Sequence, residues 1–189
     1  MTPKEVKRSV AGGVARRLTT GPAAEFPWSW SRDGRWVYFV SAQGGRPEVW
    51  KVPAEGGEAL QVTTQGGTQA VESPDGRFLY YSKATMAGGA APGIWRLPTD
   101  GSEEVQVLDH GSAGTWALLE QGILYLDCRS RPPTLELFHF DTGEVSQVAE
   151  VPEAACNGRW LSVSSDGRWI LFWGGDKPET DIMLVEGFR

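Results

Sequence analysis

The chain has 189 residues, with 24 Gly, 12 Pro, nine Trp, two Cys and a net charge of -6. Its 40% hydrophobic content excludes a disordered chain, because that much apolar surface offsets chain entropy. The acidic balance argues against a nucleic-acid surface, and no apolar run reaches the roughly 18 residues of a membrane span.

Residues 1–17 are basic but carry no apolar segment, so no export signal is read and the chain as written is expected in the cytoplasm. Cys128 and Cys156 are too few for a disulfide framework or a four-ligand zinc site, and no metal or cofactor is expected.

In chain order, residues 12–20 form the first element, a Gly-Gly turn and an outer strand that aligns with 56–64. A short strand over 27–30 leads into Ser31-Arg32-Asp33-Gly34-Arg35 and an aromatic strand over 36–40. Strands over 48–52 and 59–63 follow, separated by Gly56-Gly57. The same series returns at 69–72, Ser73-Pro74-Asp75-Gly76-Arg77, 78–81, 93–97 and 105–108. It returns again, with the Asp-Gly lost, at 115–118, 123–126, 135–140 and 145–149. A last copy runs through 160–163, Ser165-Asp166-Gly167-Arg168, 169–173 and 181–185, and no segment has a sustained helical period.

Asp33 and Asp75 are 42 residues apart, and Asp75 and Asp166 are 91 apart, about two periods. Trp50, Trp95, Phe138 and Met183 form a second column in the third strands, at intervals of 45, 43 and 45. Gly56, Gly101 and Gly143 form a third. Four strands in about 44 residues is the signature of a β-propeller blade. The fold class is therefore all-β: four four-stranded antiparallel blades per chain, at about 25–64, 68–109, 114–150 and 157–186. The strand at 13–20 is expected to complete the last blade, which removes two exposed sheet edges at once. It does so either in one four-blade ring or by exchange in a two-chain, eight-blade ring.

Three segments resemble the TolB-type propeller repeat: Ser73 to Arg77, Gly93 to Pro98 and Gly56 to Thr63. The third unit departs from it, and the fourth lacks the Pro of the motif. The resemblance implies the C-terminal propeller part of larger bacterial regulatory proteins, where it accompanies winged-helix regulators, kinases or peptidases.

Asp33, Asp75 and Asp166 are expected to order their turns rather than to catalyse, with Gly34, Gly76 and Gly167 supplying positive φ. Loops over 41–47, 82–92, 127–134 and 174–180 should share one face of the ring. They carry Arg46, Lys83, Arg129 with Arg131, and Lys177, a candidate basic rim for an anionic ligand or partner. Trp28, Trp30, Trp116 and Trp160 lie on or beside the innermost strands, and Trp28, Trp116 and Trp160 are candidates to line a channel. Trp50 and Trp95 belong to the packing between blades. His110 is expected in a solvated loop and His139 on a strand. No His-Glu-x-x-His, Cys-x-x-Cys or Gly-x-Ser-x-Gly pattern occurs.

The residues thus favour a non-enzymatic scaffold for protein–protein interaction or ligand sensing, with itself or another protein as partner. Two readings stand beside it. One is a small propeller hydrolase or lyase with a channel site, for which Glu72 and Glu120 are the nearest acids. The other is a purely structural ring-forming repeat protein.

Overall fold

Each apolar run between Gly turns becomes a strand, and the strands pair in chain order. The structure, a computed structural model, describes residues 6–7, 15–84, 91–157, 161–164, 166–174 and 181–186. Strands β1 (Val6–Lys7) and β2 (Arg16–Arg17) pair with each other. The first large sheet holds β3 (Glu25–Trp30), β4 (Trp36–Ser41), β5 (Glu48–Pro53) and β6 (Leu60–Gln61). The second holds β7 (Thr68–Glu72), β8 (Phe78–Lys83), β9 (Gly93–Pro98) and β10 (Val105–Leu108). The third holds β11 (Trp116–Leu118), β12 (Gly122–Asp127), β13 (Thr134–His139) and β14 (Val145–Glu150). A short 3-10 turn, Glu153–Asn157, precedes the fourth, with β15 (Leu161–Val163), β16 (Trp169–Gly174) and β17 (Asp181–Glu186). Every pairing is antiparallel.

Second strands are buried on both faces, which is why β4, β8 and β12 read as nearly continuous apolar runs. Outer strands such as β14 are mostly exposed and correspondingly polar. The chain divides into two compact units, residues 1–109 and 110–189. In the first unit, Tyr38, Val49, Ala70, Leu79 and Tyr81 join the first two sheets in one core. The free edges of those sheets, β3 and β7, lie side by side, and Ser29 Oγ donates to the Ala70 carbonyl at 2.6 Å. In the second unit, Leu124, Leu135, Leu137, Ile170 and Phe172 do the same for the third and fourth sheets.

The Asp-Gly turns are built alike. Asp75 Oδ1 accepts from Ser73 Oγ at 2.6 Å and from the Arg77 amide at 3.0 Å. Ser73 Oγ in turn accepts the Phe78 amide at 3.0 Å, and Gly76 has φ 70°. Asp33 with Ser31 and Trp36 repeats this set. In the last copy the hydroxyl is that of Ser164, not Ser165: Ser164 Oγ accepts the Trp169 amide at 3.0 Å and donates to Asp166. The repeat therefore starts at Ser164 there, one residue before the expected Ser165, which in sequence corresponds to Pro74 of the second copy.

Of the strand expected at 13–20, Arg16–Arg17 is described as strand and pairs with Val6–Lys7, residues 13 and 14 lie outside the described residues, and the last sheet has three strands among the described residues. Three expectations need correction. Cys128 and Cys156 form a disulfide, with Sγ atoms 2.07 Å apart, that ties the loop after β12 to the 3-10 turn. Second strands run one or two residues beyond their expected ends, so Lys83 is the last residue of β8 and not part of a loop. The third-strand column also slips in the third sheet. Trp50 pairs with Phe39, Trp95 with Tyr81 and Met183 with Phe172. Their counterpart, opposite Tyr125, is Glu136, two residues before Phe138. Constant spacing pointed to Phe138, but hydrogen-bond register decides which residues share a place.

Candidate functional site

That slip puts a carboxylate where the other sheets hold Trp or Met, and a cluster forms around it. Side chains alternate along a strand, so Tyr125 and Asp127 of β12 share one face with Glu136 and Thr134 opposite them on β13. His110 reaches the same face, its ring edge-on to Tyr125 with centroids 4.8 Å apart. One ligand-type atom from each of His110, Asp127 and Glu136 lies within 4.8 Å of the others. Asp127 is buried; His110 and Glu136 are half-buried.

The surrounding bonds fix the two carboxylates. Glu136 accepts from the Tyr125 hydroxyl at 2.6 Å and from Thr134 Oγ1 at 3.0 Å. Burial, followed by the Glu136 carboxylate, pushes the Tyr125 phenol well above its usual range, so it stays protonated as a donor. Asp127 accepts from the Arg129 amide at 2.8 Å and from Nε and Nη2 of its guanidinium at 3.0 Å each. That side-chain bond is the largest influence holding the Asp127 carboxyl below the usual carboxylate range, with a smaller contribution from His110. His110 is thus not the solvated loop residue expected from its place between strands.

The candidate rim looks different once packed. Lys83 has a 1% exposed side chain, pairs with Glu104, and lies over the Trp95 ring at 4.0 Å. Arg46 pairs with Glu48 at 2.6 Å, Arg129 with Asp127, and Arg131 with Glu153 at 3.7 Å. Each described cation of the rim therefore has an acidic partner, and Lys177 lies outside the described residues. The local sequence showed the cations but not the acids that fold against them.

The aromatic candidates also separate. Trp116 is fully buried and presents no binding face, Trp28 is half-buried, and Trp160 lies outside the described residues. The exposed rings of the first sheet are Phe26 and Trp30, 61% and 51% exposed at either end of β3. Glu72 serves the fold by accepting from Tyr38 at 2.6 Å and the Arg32 amide at 2.8 Å, and Glu120 is exposed. His139 bonds Ser146 Oγ at 2.8 Å. Asp33 accepts bonds within its own turn: the Arg35 amide, then Ser31, then the Arg35 side chain lower its carboxyl to about 2. Asp75 and Asp166 are lowered by the same kinds of bond, with the serine hydroxyl first.

Successive four-stranded antiparallel sheets, each following the chain from one free edge to the other, are the blades of a β-propeller. The fold is of the TolB-like kind: TolB from Acinetobacter baumannii superposes with a TM-score of 0.74 over 96% of this chain and 45% of its own, at 15% identity. The chain thus spans under half of that protein's length. A chain from a nidogen/laminin complex matches with a TM-score of 0.66 over 93% of this chain and 70% of its own, at 13% identity. An oligogalacturonate lyase in complex with manganese matches with a TM-score of 0.65 over 96% of this chain and 56% of its own, at 17% identity. In sequence, an uncharacterized protein of Agrobacterium fabrum is 35% identical over 54 residues, 29% of this chain and 18% of the relative. No family model matches the chain.

Proposed function

We propose that this chain is a non-enzymatic propeller platform for protein interaction, with a second copy of itself as first partner. The observation that carries this reading is the aromatic edge of the first sheet. On β3, Phe26 is 61% and Trp30 51% exposed. Large aromatic faces gain most from being covered, and they dominate interface energetics. The last sheet, which has three strands among the described residues, adds a second argument, because a fourth strand from a partner would pair with its outer strand. Two copies together would form an eight-blade ring, with ligand sensing through its loops as an extension of the same platform. Among the compared folds, the nidogen/laminin complex is a protein assembly, which agrees with this use of a propeller.

Light scattering tests the reading. The expected mass is twice the 20.6 kDa of one chain, falling to one chain in the double variant Phe26→Ser/Trp30→Ser with an unchanged circular dichroism spectrum. A wild-type protein that stays single at micromolar concentration refutes it. A second reading, a hydrolase or lyase with a site on the third sheet, is favoured by the His110, Asp127 and Glu136 cluster. Turnover in an esterase, lactonase or lyase screen that is lost in Glu136→Gln would replace the first reading.

A further inference from the structure

We propose that His110, Asp127 and Glu136 bind a divalent transition-metal ion, zinc or manganese, on the third sheet. The three side chains come from separate places in the chain: before β11, the last residue of β12, and the middle of β13. Register and the path of the chain into the sheet bring their ligand atoms within 4.8 Å of one another. One imidazole and two carboxylates make a mixed nitrogen and oxygen set. Such a set suits zinc or manganese better than calcium or magnesium, which take oxygen donors.

The charge balance points the same way. Arg129 answers Asp127, but among the described residues the partners of Glu136 are the neutral hydroxyls of Tyr125 and Thr134. A half-buried carboxylate with only neutral donors favours a cation, since burying an unmatched charge is costly. Coordination capacity remains. A carboxylate has about four acceptor positions. Among the described residues Glu136 accepts two bonds and Asp127 three, the latter all from Arg129. Both acids therefore keep a lone pair for an ion. Tyr125, Thr134 and Arg129 act as the outer partners that orient ligands at metal sites.

The third sheet also breaks the repeat at these positions. Glu136 stands where Trp50 and Trp95 stand, and Asp127 stands where Ser41 and Lys83 stand, as the last residue of the second strand. In the second sheet that face holds a Lys83–Glu104 ion pair beneath Trp95. Packing alone is thus satisfied by a ring and a cation there, whereas the third sheet gathers ligand-type side chains.

Calorimetric titration of the whole chain with zinc and with manganese tests the site, with magnesium and calcium as controls. One saturable site per chain is expected for zinc and manganese and none for the controls. His110→Ala and the isosteric Glu136→Gln should each weaken binding by about tenfold or more. Manganese bound to wild type should carry nitrogen modulation in its pulsed electron paramagnetic resonance, lost in His110→Ala. The proposal is overturned if neither transition ion saturates at millimolar concentration. It is equally overturned if folded Glu136→Gln binds as tightly as wild type, or if no nitrogen modulation is seen. Because metal binding is read without any partner, failure here leaves the assembly reading of the aromatic edge untouched, and the reverse also holds.

Discussion

Ser73→Ala removes one oxygen and should cost the fold more than its size suggests. Ser73 is 5% exposed, and its Oγ is the acceptor for the Phe78 amide at the start of β8. The same Oγ donates to Asp75 at 2.6 Å, which sets the carboxylate to receive the Arg77 amide. Alanine leaves the Phe78 N–H without this acceptor in a part-buried turn. A stranded polar group of that kind costs about 1–3 kcal/mol. At about 2–4 °C per kcal/mol for a chain of this size, Tm should fall by roughly 2–12 °C. Ser164→Ala, which strips the same acceptor from the Trp169 amide, should fall in the same range. Asp75→Asn keeps an oxygen for both donors and should cost clearly less than Ser73→Ala. Urea unfolding followed by tryptophan fluorescence gives the numbers. A loss below about 0.5 kcal/mol, within the range of ordinary surface substitutions, would refute the reasoning. So would an Asp75→Asn variant that is weaker than Ser73→Ala.

Gly122→Ala should prevent folding of the third sheet, because a Cβ there would lie 1.9 Å from the Phe138 carbonyl oxygen; a soluble variant with wild-type circular dichroism would contradict this. Replacing both Cys128 and Cys156 by Ser should lower stability by about 3–4 kcal/mol, the loop-closure entropy for a separation of 28 residues, and the change is read from urea midpoints under non-reducing conditions. The Arg35 amide and the Ser31 hydroxyl hold the folded Asp33 carboxyl at about 2, below its ordinary 3.8, so its contribution is complete above about pH 4 and disappears as pH falls toward 2. Asp33→Asn should therefore flatten acid unfolding in that window, and an unchanged acid limb would count against it.

The repeat was legible because each blade must solve the same local problem. The turn before each second strand needs positive φ at Gly34, Gly76 and Gly167, and a short acid beside it to hold the amides. Those needs are met within five residues, so they leave a pattern in the sequence. Apolar second strands are likewise written locally, since β4, β8 and β12 are buried on both faces. The propeller architecture follows from that period.

The candidate site was not legible in this way. His110 and Glu136 are 26 positions apart, and nothing in either segment alone marks them as neighbours. The one available signal was a Glu between Leu135 and Leu137 in the third strand, which constant spacing hid by selecting Phe138. Likewise, Arg46, Lys83 and Arg131 read as free cations until folding set Glu48, Glu104 and Glu153 beside them. The Cys128–Cys156 link is of the same kind. Sequence alone determined the strands, the turns and their period, because backbone sterics and burial act over a few residues. Only the tertiary structure decided which charges meet, which sulfurs join and which residue faces Tyr125, because those depend on register between strands and on the path of the chain between them.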